Sequence, residues 1–309
     1  MIPLCAPENA KLPTALALGS FDGLHLGHKK VIKAILKEPI GVPTVVSFWP
    51  HPREILFGES RLRLDLPNEK TFLLESLGIE QLVLVPFNKD LASKSAETFV
   101  DEILVKTLQA KHIAVGENFR FGRNREGDIY TLKKIGASLG IKISIIPILE
   151  DNHGRLSSSR VRKALNDGDL KHAKYLLQRP YSFRGTVEKG RGLGQKIGWP
   201  TANLKIDGRK FLPSLGVYAA WASMANKKER FSAIMNMGPQ PTIDPNSLSA
   251  VEVHLLDKKI NLLGHELIIE PVHKLRLQKK FDSIEALSNQ IRLDAILAKE
   301  ILTKSSRSK

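Results

Sequence analysis

The stretch Ala15-Leu16-Ala17-Leu18-Gly19-Ser20-Phe21-Asp22-Gly23-Leu24-His25-Leu26-Gly27-His28 decides the fold of the first half of the chain. Its four leading apolar residues read as a strand buried on both faces, as in a parallel sheet. Residues 28–36 then place Val31, Ile32, Ile35 and Leu36 three and four apart, which predicts a helix. Between strand and helix lies a turn holding His-x-Gly-His. A helix N-terminus offers unpaired N–H groups and the positive end of a dipole, and Gly23 and Gly27 let the backbone approach a ligand closely. Imidazoles at His25 and His28 can donate hydrogen bonds to a phosphate chain and to charge developing on it. The same turn also reads as a glycine-rich bend with two surface histidines or, with His51 as third ligand, as a zinc site.

Outward from this turn, residues 44–48, 81–85, 113–115 and 141–146 repeat the short apolar run, and residues 96–108 and 128–139 repeat the helical spacing. Strands alternating with helices predict an open α/β sheet of parallel strands. Such sheets bind ligands at the carboxyl ends of their strands, where further segments fall. Phe48-Trp49-Pro50-His51-Pro52 closes one strand with prolines that fix the backbone. Val115-Gly116-Glu117-Asn118-Phe119-Arg120-Phe121-Gly122 follows another. There Phe119 and Phe121 can flank a planar ring while Asn118 bonds its edge, or the phenylalanines can simply join the core. Arg125-Glu126-Gly127-Asp128 opens a helix. Arg155-Leu156-Ser157-Ser158-Ser159-Arg160-Val161-Arg162 sets hydroxyls before a helix, with arginines for phosphate, though serine also serves as a plain cap.

The texture changes after Arg179-Pro180. A helical hairpin over 161–165 and 170–177 gives way to strand candidates at 182–187, 216–221, 231–235, 251–256 and 267–271, separated by Gly and Pro clusters and followed by a helix over 283–302. This spacing predicts a compact β barrel closed by a C-terminal helix. The expected domains are therefore 1–180 and 181–309. Residues 190–204 are dense in glycine and contain no good strand or helix stretch. Gly192, Gly194 and Gly198 do not fit G-x-G-x-x-G and no G-K-[ST] occurs, so neither the dinucleotide nor the P-loop fingerprint applies. A glycine loop with Arg191 and Lys196 can nevertheless wrap a polyphosphate, and the oxygens of Thr201 and Asn203 suit a hard ion such as magnesium. In Val251-Glu252-Val253-His254-Leu255 strict alternation turns Glu252 and His254 outward. A carboxylate on a rigid strand is placed to act as general base toward a hydroxyl, or is an ordinary solvent-facing Glu.

Composition bounds these readings. A length of 309 residues suggests two domains, and 42% hydrophobic with 26% charged residues excludes disorder, collagen and a coiled coil. No run approaches the roughly 18 apolar residues of a membrane span, and Met1 to Glu8 lacks the features of a secretion signal, so a cytoplasmic, membrane-free chain is expected. The single cysteine, Cys5, can form no internal disulfide and no thiolate zinc cluster, in keeping with a reducing compartment. A formal charge of +15 draws anions. Base-stacking aromatic clusters and known DNA or RNA motifs are absent, which points to phosphorylated small molecules rather than nucleic acid. A monomer or weak homo-oligomer is expected.

Taken together, strand, His-x-Gly-His and a late Ser-Ser-x-x-x-Arg segment resemble the nucleotidyltransferase superfamily. With Phe-x-Pro-His-Pro and Gly-Glu-Asn-Phe-x-Phe-Gly, the first half resembles the FMN adenylyltransferase module of bacterial bifunctional FAD synthetases. Pro200-Thr201-Ala202-Asn203 followed by Val-Glu-Val-His is similar to the riboflavin kinase family. The two resemblances span roughly residues 15 to 295. They imply a Rossmann-like nucleotidyltransferase domain followed by a riboflavin-kinase-like barrel. The implied reactions are phosphorylation of riboflavin to FMN and adenylylation of FMN to FAD, with ATP and magnesium in both. For adenylylation the resemblance implies His25 and His28 as catalytic groups. Gly19, Phe21, Asp22, Gly27, Arg155, Ser158, Ser159 and Arg162 would bind ATP and its phosphates, and Asn118 and Phe119 the flavin. For the kinase it implies Glu252 as base, Gly190, Gly192 and Lys196 at ATP, and Thr201 and Asn203 holding magnesium-ATP. Departures from the family pattern are Ser20 for Asn, Ser159 for Thr, Gln240 for Arg, Leu263 for Tyr and Gln278 for Glu.

Overall fold

The computed structural model describes the chain at all residues except 39, 60, 191–193, 195–196, 226, 228, 239–249, 259 and 308–309. It divides into two compact units, Met1–Ser158 and Ser159–Lys309.

The first unit is built on a parallel sheet of β1 (Leu4–Cys5), β2 (Thr14–Leu18), β3 (Val42–Trp49), β4 (Gln81–Pro86), β5 (Ala110–Gly116) and β6 (Lys142–Ile146). Their order is β1-β4-β3-β2-β5-β6. The chain progresses outward from β2 in both directions, so the crevice beyond the β2 and β5 carboxyl ends is a topological switch point. All five residues of β2 are buried. Leu16 and Leu18 pack on one face with Phe99, Val100 and Leu104; Ala15 and Ala17 pack on the other with Val31, Ile32 and Ile35 of α1 (Leu26–Leu36). Burial on both faces explains why the sequence shows a continuous apolar run here instead of alternation.

Several elements depart from the sequence reading. The strand expected at 141–146 begins at Lys142, and β1 was without a sequence signal at two residues. Three short helices, α2 (Pro52–Phe57), α3 (Pro67–Glu75) and α4 (Lys89–Ser93), fill a segment that carries no helical period. The helix expected at 96–108 forms one α-helical turn, α5 (Ala96–Phe99), and continues as a π-helix over Val100–Thr107. α6 (Ile129–Ser138) follows the Asp128 cap, whose carboxylate accepts from the Tyr130 and Thr131 N–H groups. A two-stranded ribbon, β7 (Glu150–Asp151) and β8 (Gly154–Arg155), closes the unit.

The second unit holds α7 (Ser158–Asp167) from its second residue onward and α8 (Leu170–Leu177), and α8 packs on β14 (Glu266–Arg276). Packing thus groups the helical hairpin with the barrel, although the change of sequence texture falls near residue 180. The barrel is closed and antiparallel, formed by β9 (Phe183–Glu188), β10 (Ala202–Lys205), β11 (Gly216–Met224), β12 (Arg230–Gly238), β13 (Ala250–Leu255) and β14 in the order β10-β13-β12-β11-β14-β9. β10 corrects the expectation of no strand within 190–204. It buries only Leu204, so it owes its conformation to pairing with β9 on one side and β13 on the other rather than to an apolar pattern.

The terminal helix α9 (Ile284–Arg307) covers the barrel with Ala295, Ala298 and Leu302, packed against Val217, Ala219 and Ile234. Two ion pairs tie it down, the exposed Lys299–Asp257 at 2.6 Å and the more buried Arg276–Asp294. Arg276 Nε and Nη2 each lie 2.9 Å from Asp294 Oδ2, and Gln290 Nε2 is 3.0 Å from Oδ1. The Asp294 carboxylate is only 6% exposed. Asp294→Ala leaves the Arg276 cation uncompensated, so urea denaturation of the variant should show a loss of about 3 kcal/mol in the barrel transition. A loss below about 1 kcal/mol would mean that solvent already screens the pair.

Candidate functional site

The switch-point crevice of the first unit opens into a cavity of about 770 Å³, within the usual size range of small-molecule sites. Its floor is the turn between β2 and α1. Gly23 (φ 89°) and the two non-glycine residues Phe21 (φ 46°) and Leu24 (φ 45°) hold this turn in left-handed conformations. That strain is of the kind found where surrounding structure holds a functional loop. Asp22 anchors the turn. Its Oδ1 accepts from the Leu64 N–H at 2.9 Å and its carbonyl accepts from Ser158 Oγ at 2.8 Å. Ser158 therefore spends its hydroxyl on the loop.

His25 occupies the N-cap position of α1 and His28 its first turn. Their rings stack 3.7 Å apart, 23° from parallel, and the Phe21 ring meets His28 edge-on at 5.4 Å. A Cβ at Gly27 would sit 3.1 Å from the His25 ring, so a glycine here leaves room for the stack. Burial chiefly, then the Arg155 cation, lowers the His25 pKa to about 4. Burial, His25, Lys70 and Arg155 together hold His28 well below 6.5. Both rings are neutral at pH 7. Their Nδ1 atoms are buried without a hydrogen-bond partner among the described residues, and both residues line the cavity. Stacked rings direct their in-plane lone pairs side by side rather than at one ion. His51 instead caps α2, with Nδ1 accepting from the Arg53 N–H. Among the described residues no cluster of three His, Cys, Asp or Glu could hold a metal, so the zinc reading is withdrawn.

Gly19, Phe21, Asp22, Gly27, Asn118, Phe119 and Arg155 line the same cavity. Asn118 Oδ1 faces the Arg155 guanidinium, 2.8 Å from Nη2 and 3.1 Å from Nη1. Phe119 stacks on Phe121 with centroids 5.5 Å apart. A planar ring between them would need about 7 Å, two van der Waals spacings, so the expectation that they flank a ligand fails. Only an outer face can serve. Ser159 and Arg162 fall in the second unit on α7, with Arg162 over the Phe211 ring.

The sequence reading missed Lys70 and Arg63. Lys70 on α3 is 7% exposed, lines the cavity, and donates from Nζ to the Ser20 carbonyl at 3.0 Å. Burial lowers its pKa, while Asp22 and Asp65 act to raise it. Arg63 pairs with Glu54 at 2.7 Å and lies over the Trp49 ring. A run of polar residues buried on α3, Glu69-Lys70-Thr71, is invisible to any search for apolar periodicity.

In the second unit the candidate site residues Asn203 and Glu252 lie on the paired strands β10 and β13. Asn203 is the register partner of Glu252, and Glu252 in turn pairs with Asn236 on β12. Partners in register share a face, so Asn203, Glu252 and Asn236 form one polar row on the outside of the barrel. Asn236, absent from the sequence reading, accepts from Gln278 Nε2 at 2.8 Å. Of the described loop glycines, Gly190 lies against this row, where a Cβ would collide with the Asn203 amide, and a Cβ at Gly194 would meet the Trp199 carbonyl and, at 3.2 Å, Thr201 Oγ1. Gly192, Lys196 and Gln240 lie outside the described residues, and Leu263 is exposed in the turn before Gly264. Thr201 and Asn203 offer neutral oxygens without an acidic cluster among the described residues. This donor set fits magnesium that arrives with nucleotide phosphates, which supply the remaining ligands.

A nucleotide-binding α/β module with donors at its switch point, followed by a barrel with a carboxylate beside a hydroxyl–carboxamide pair, defines a two-module transferase. Residues 8–160 match the family model for FAD synthetase, and residues 177–302 that for riboflavin kinase. The chain is 34% identical over 295 residues to the bifunctional riboflavin kinase/FMN adenylyltransferase of Haemophilus influenzae, covering 92% of this chain and 93% of that one. It is 35% identical over 295 residues to the protein of that description from Escherichia coli K12, covering 94% and 93%. A solved structure from Streptococcus pneumoniae, described as a macrolide-efflux protein, is 28% identical with TM-score 0.82, covering 96% of this chain and 98% of that one. Among the described residues no helix is long and apolar enough to cross a membrane. The chain belongs to the bifunctional riboflavin kinase/FMN adenylyltransferase family.

The neutral histidine pair has a consequence for stability. On unfolding, both rings return to a pKa near 6.5. Between about pH 4 and 6.5 the unfolded chain thus binds protons that the folded chain refuses. Stability of the first unit should fall as pH drops through that window and be flat above it. Urea titrations at pH 5, 6 and 7 test this. His28→Gln should flatten the dependence, and an unchanged slope in the variant would show that other groups cause it.

Proposed function

We propose that this bifunctional riboflavin kinase and FMN adenylyltransferase runs its two reactions in separate units, with the barrel making the FMN that the α/β unit adenylylates. In the barrel, Glu252 accepts the proton of the riboflavin 5′-hydroxyl as that oxygen bonds to the γ-phosphorus of ATP and ADP departs. The Thr201 hydroxyl and the Asn203 carboxamide would hold magnesium, whose charge offsets that of the phosphates. Gly190 gives the nucleotide loop its close approach to Asn203. Such a reaction asks mainly for positioning and electrostatics, which rigid strands supply.

In the α/β unit an FMN phosphate oxygen attacks the α-phosphorus of ATP, the α–β bridge bond breaks, and pyrophosphate leaves. No covalent enzyme intermediate is needed. Neutral His25 and His28 act as N–H donors to the phosphates from Nε2. Lys70, Arg155 and the N–H groups at the start of α1 supply the positive potential that uncharged imidazoles lack. Asn118 and the outer face of Phe119 would hold the flavin. A cytoplasmic site of action is supported by the single cysteine and by the requirement for ATP.

The observation that carries this reading is the register pairing of Asn203 with Glu252, which sets a base beside an oxygen donor for the metal on adjacent rigid strands. Glu252→Gln should lower riboflavin phosphorylation by roughly two to four orders of magnitude and leave FMN adenylylation intact. His28→Ala should do the converse. Separate assays of the two reactions check both variants. Equal loss of both activities in either variant, or an undiminished reaction where loss is expected, would contradict the assignment.

A further inference from the structure

We infer that His254 is a positioning residue for the magnesium nucleotide of the kinase reaction, through a hydrogen bond that fixes the peptide carrying Thr201. This rests on the reading of Thr201 and Asn203 as the ligand pair. The β10–β13 ladder ends at Ala202–Val253, and its next pair would set Thr201 opposite His254. There the imidazole takes over from the ladder. His254 Nδ1 lies 2.7 Å from the Pro200 carbonyl oxygen. A carbonyl can only accept, so Nδ1 carries the proton, and the ring tautomer is set. The carbonyl it holds belongs to the planar peptide that ends at the Thr201 nitrogen, and holding one end of that plane orients the other.

The anchor is itself supported. The Trp199 ring meets His254 edge-on, with centroids 5.1 Å apart and planes 74° apart. Trp199 N donates to the Gly194 carbonyl at 2.8 Å, and its indole Nε1 donates to Ser288 Oγ of α9 at 3.1 Å. The segment 199–201 is thereby tied to the glycine loop, the terminal helix and β13. Without the His254 bond, Thr201 precedes the first ladder pair of β10 with no side-chain tether on its peptide among the described residues, while Asn203 stays in register with Glu252. Loss of the tether separates the two neutral oxygens that must share one cation, but leaves the base in place. The effect should therefore fall on nucleotide and metal affinity and spare the chemical step.

Substitutions that keep or remove a donor at the δ position separate this role from bulk. Asn places Nδ2 close to where His carries Nδ1, whereas Gln moves its amide one carbon farther out. Two readouts serve: KM for magnesium-ATP against kcat in riboflavin phosphorylation, and calorimetric titration of the full chain with magnesium-ADP. Thr201→Ala marks which class of ADP site belongs to the barrel. His254→Ala and His254→Gln should weaken magnesium-ADP binding at that class and raise KM for magnesium-ATP by roughly 10- to 100-fold, as loss of outer-shell support does at metal sites. Riboflavin KM, kcat and FMN adenylylation should move less than about threefold. His254→Asn should restore most of the loss, and the Asn–Gln comparison stands even if the alanine variant fails to fold. Normal magnesium-ADP binding in His254→Gln beside weakened binding in Thr201→Ala would overturn the positioning role and keep the ligand assignment. Equal impairment of the Asn and Gln variants would also overturn it. Wild-type behaviour of Thr201→Ala would remove the ligand assignment and the inference with it.

Discussion

Two imidazoles stacked 3.7 Å apart inside a cavity cannot both carry a charge, and the chemistry of the first unit is organised around that constraint. The histidines stay neutral, so in the proposed roles they would donate hydrogen bonds without supplying net charge. Under the proposed roles the cations that a triphosphate requires come from outside the His-x-Gly-His turn, from Lys70 on α3 and Arg155 on β8, and both of these cations also help keep His28 neutral. The left-handed residues of the turn, the Asp22 anchor and the Lys70 bond to the Ser20 carbonyl can be understood together. They hold in place a loop that Phe21 and Leu24 also tie into the core beside β2 and α1.

The barrel meets a similar demand by different means. Here backbone register does what stacking does in the α/β unit. Asn203, Glu252 and Asn236 are brought into one row because three adjacent strands pair without slippage at those positions, and a shift by one residue would turn the row into the core. Gly190 then lies directly against Asn203 of that row. Under the proposed roles, donors in both units are positioned before the phosphates arrive, which avoids reorganisation during the reaction.

Much of this was legible in the sequence, for identifiable physical reasons. β2 and the start of α1 show plainly because a central parallel strand is apolar throughout and a helix declares itself by its period. β13 shows because one face is buried and the other is not. β10 was not legible: its conformation comes from neighbours on both sides, and a single buried Leu204 leaves no pattern. Lys70 was missed because its role depends on burying a cation at the end of another element, which local sequence does not encode. Phe119 and Phe121 misled, since spacing two apart in a loop does not distinguish rings that flank a ligand from rings that stack on each other. Asn236 was invisible for want of any motif; only the register across β12 and β13 brings it beside Glu252.

The central claim is that one chain carries out two consecutive ATP-dependent reactions on a flavin. A chromatographic time course tests it most directly, with the purified chain, magnesium-ATP and either riboflavin or FMN, following each flavin peak. Riboflavin should pass through FMN to FAD, and FMN supplied alone should give FAD. If riboflavin stays unchanged while FMN is converted, the barrel does not perform the kinase step, and if neither flavin is converted by folded protein the account is contradicted as a whole.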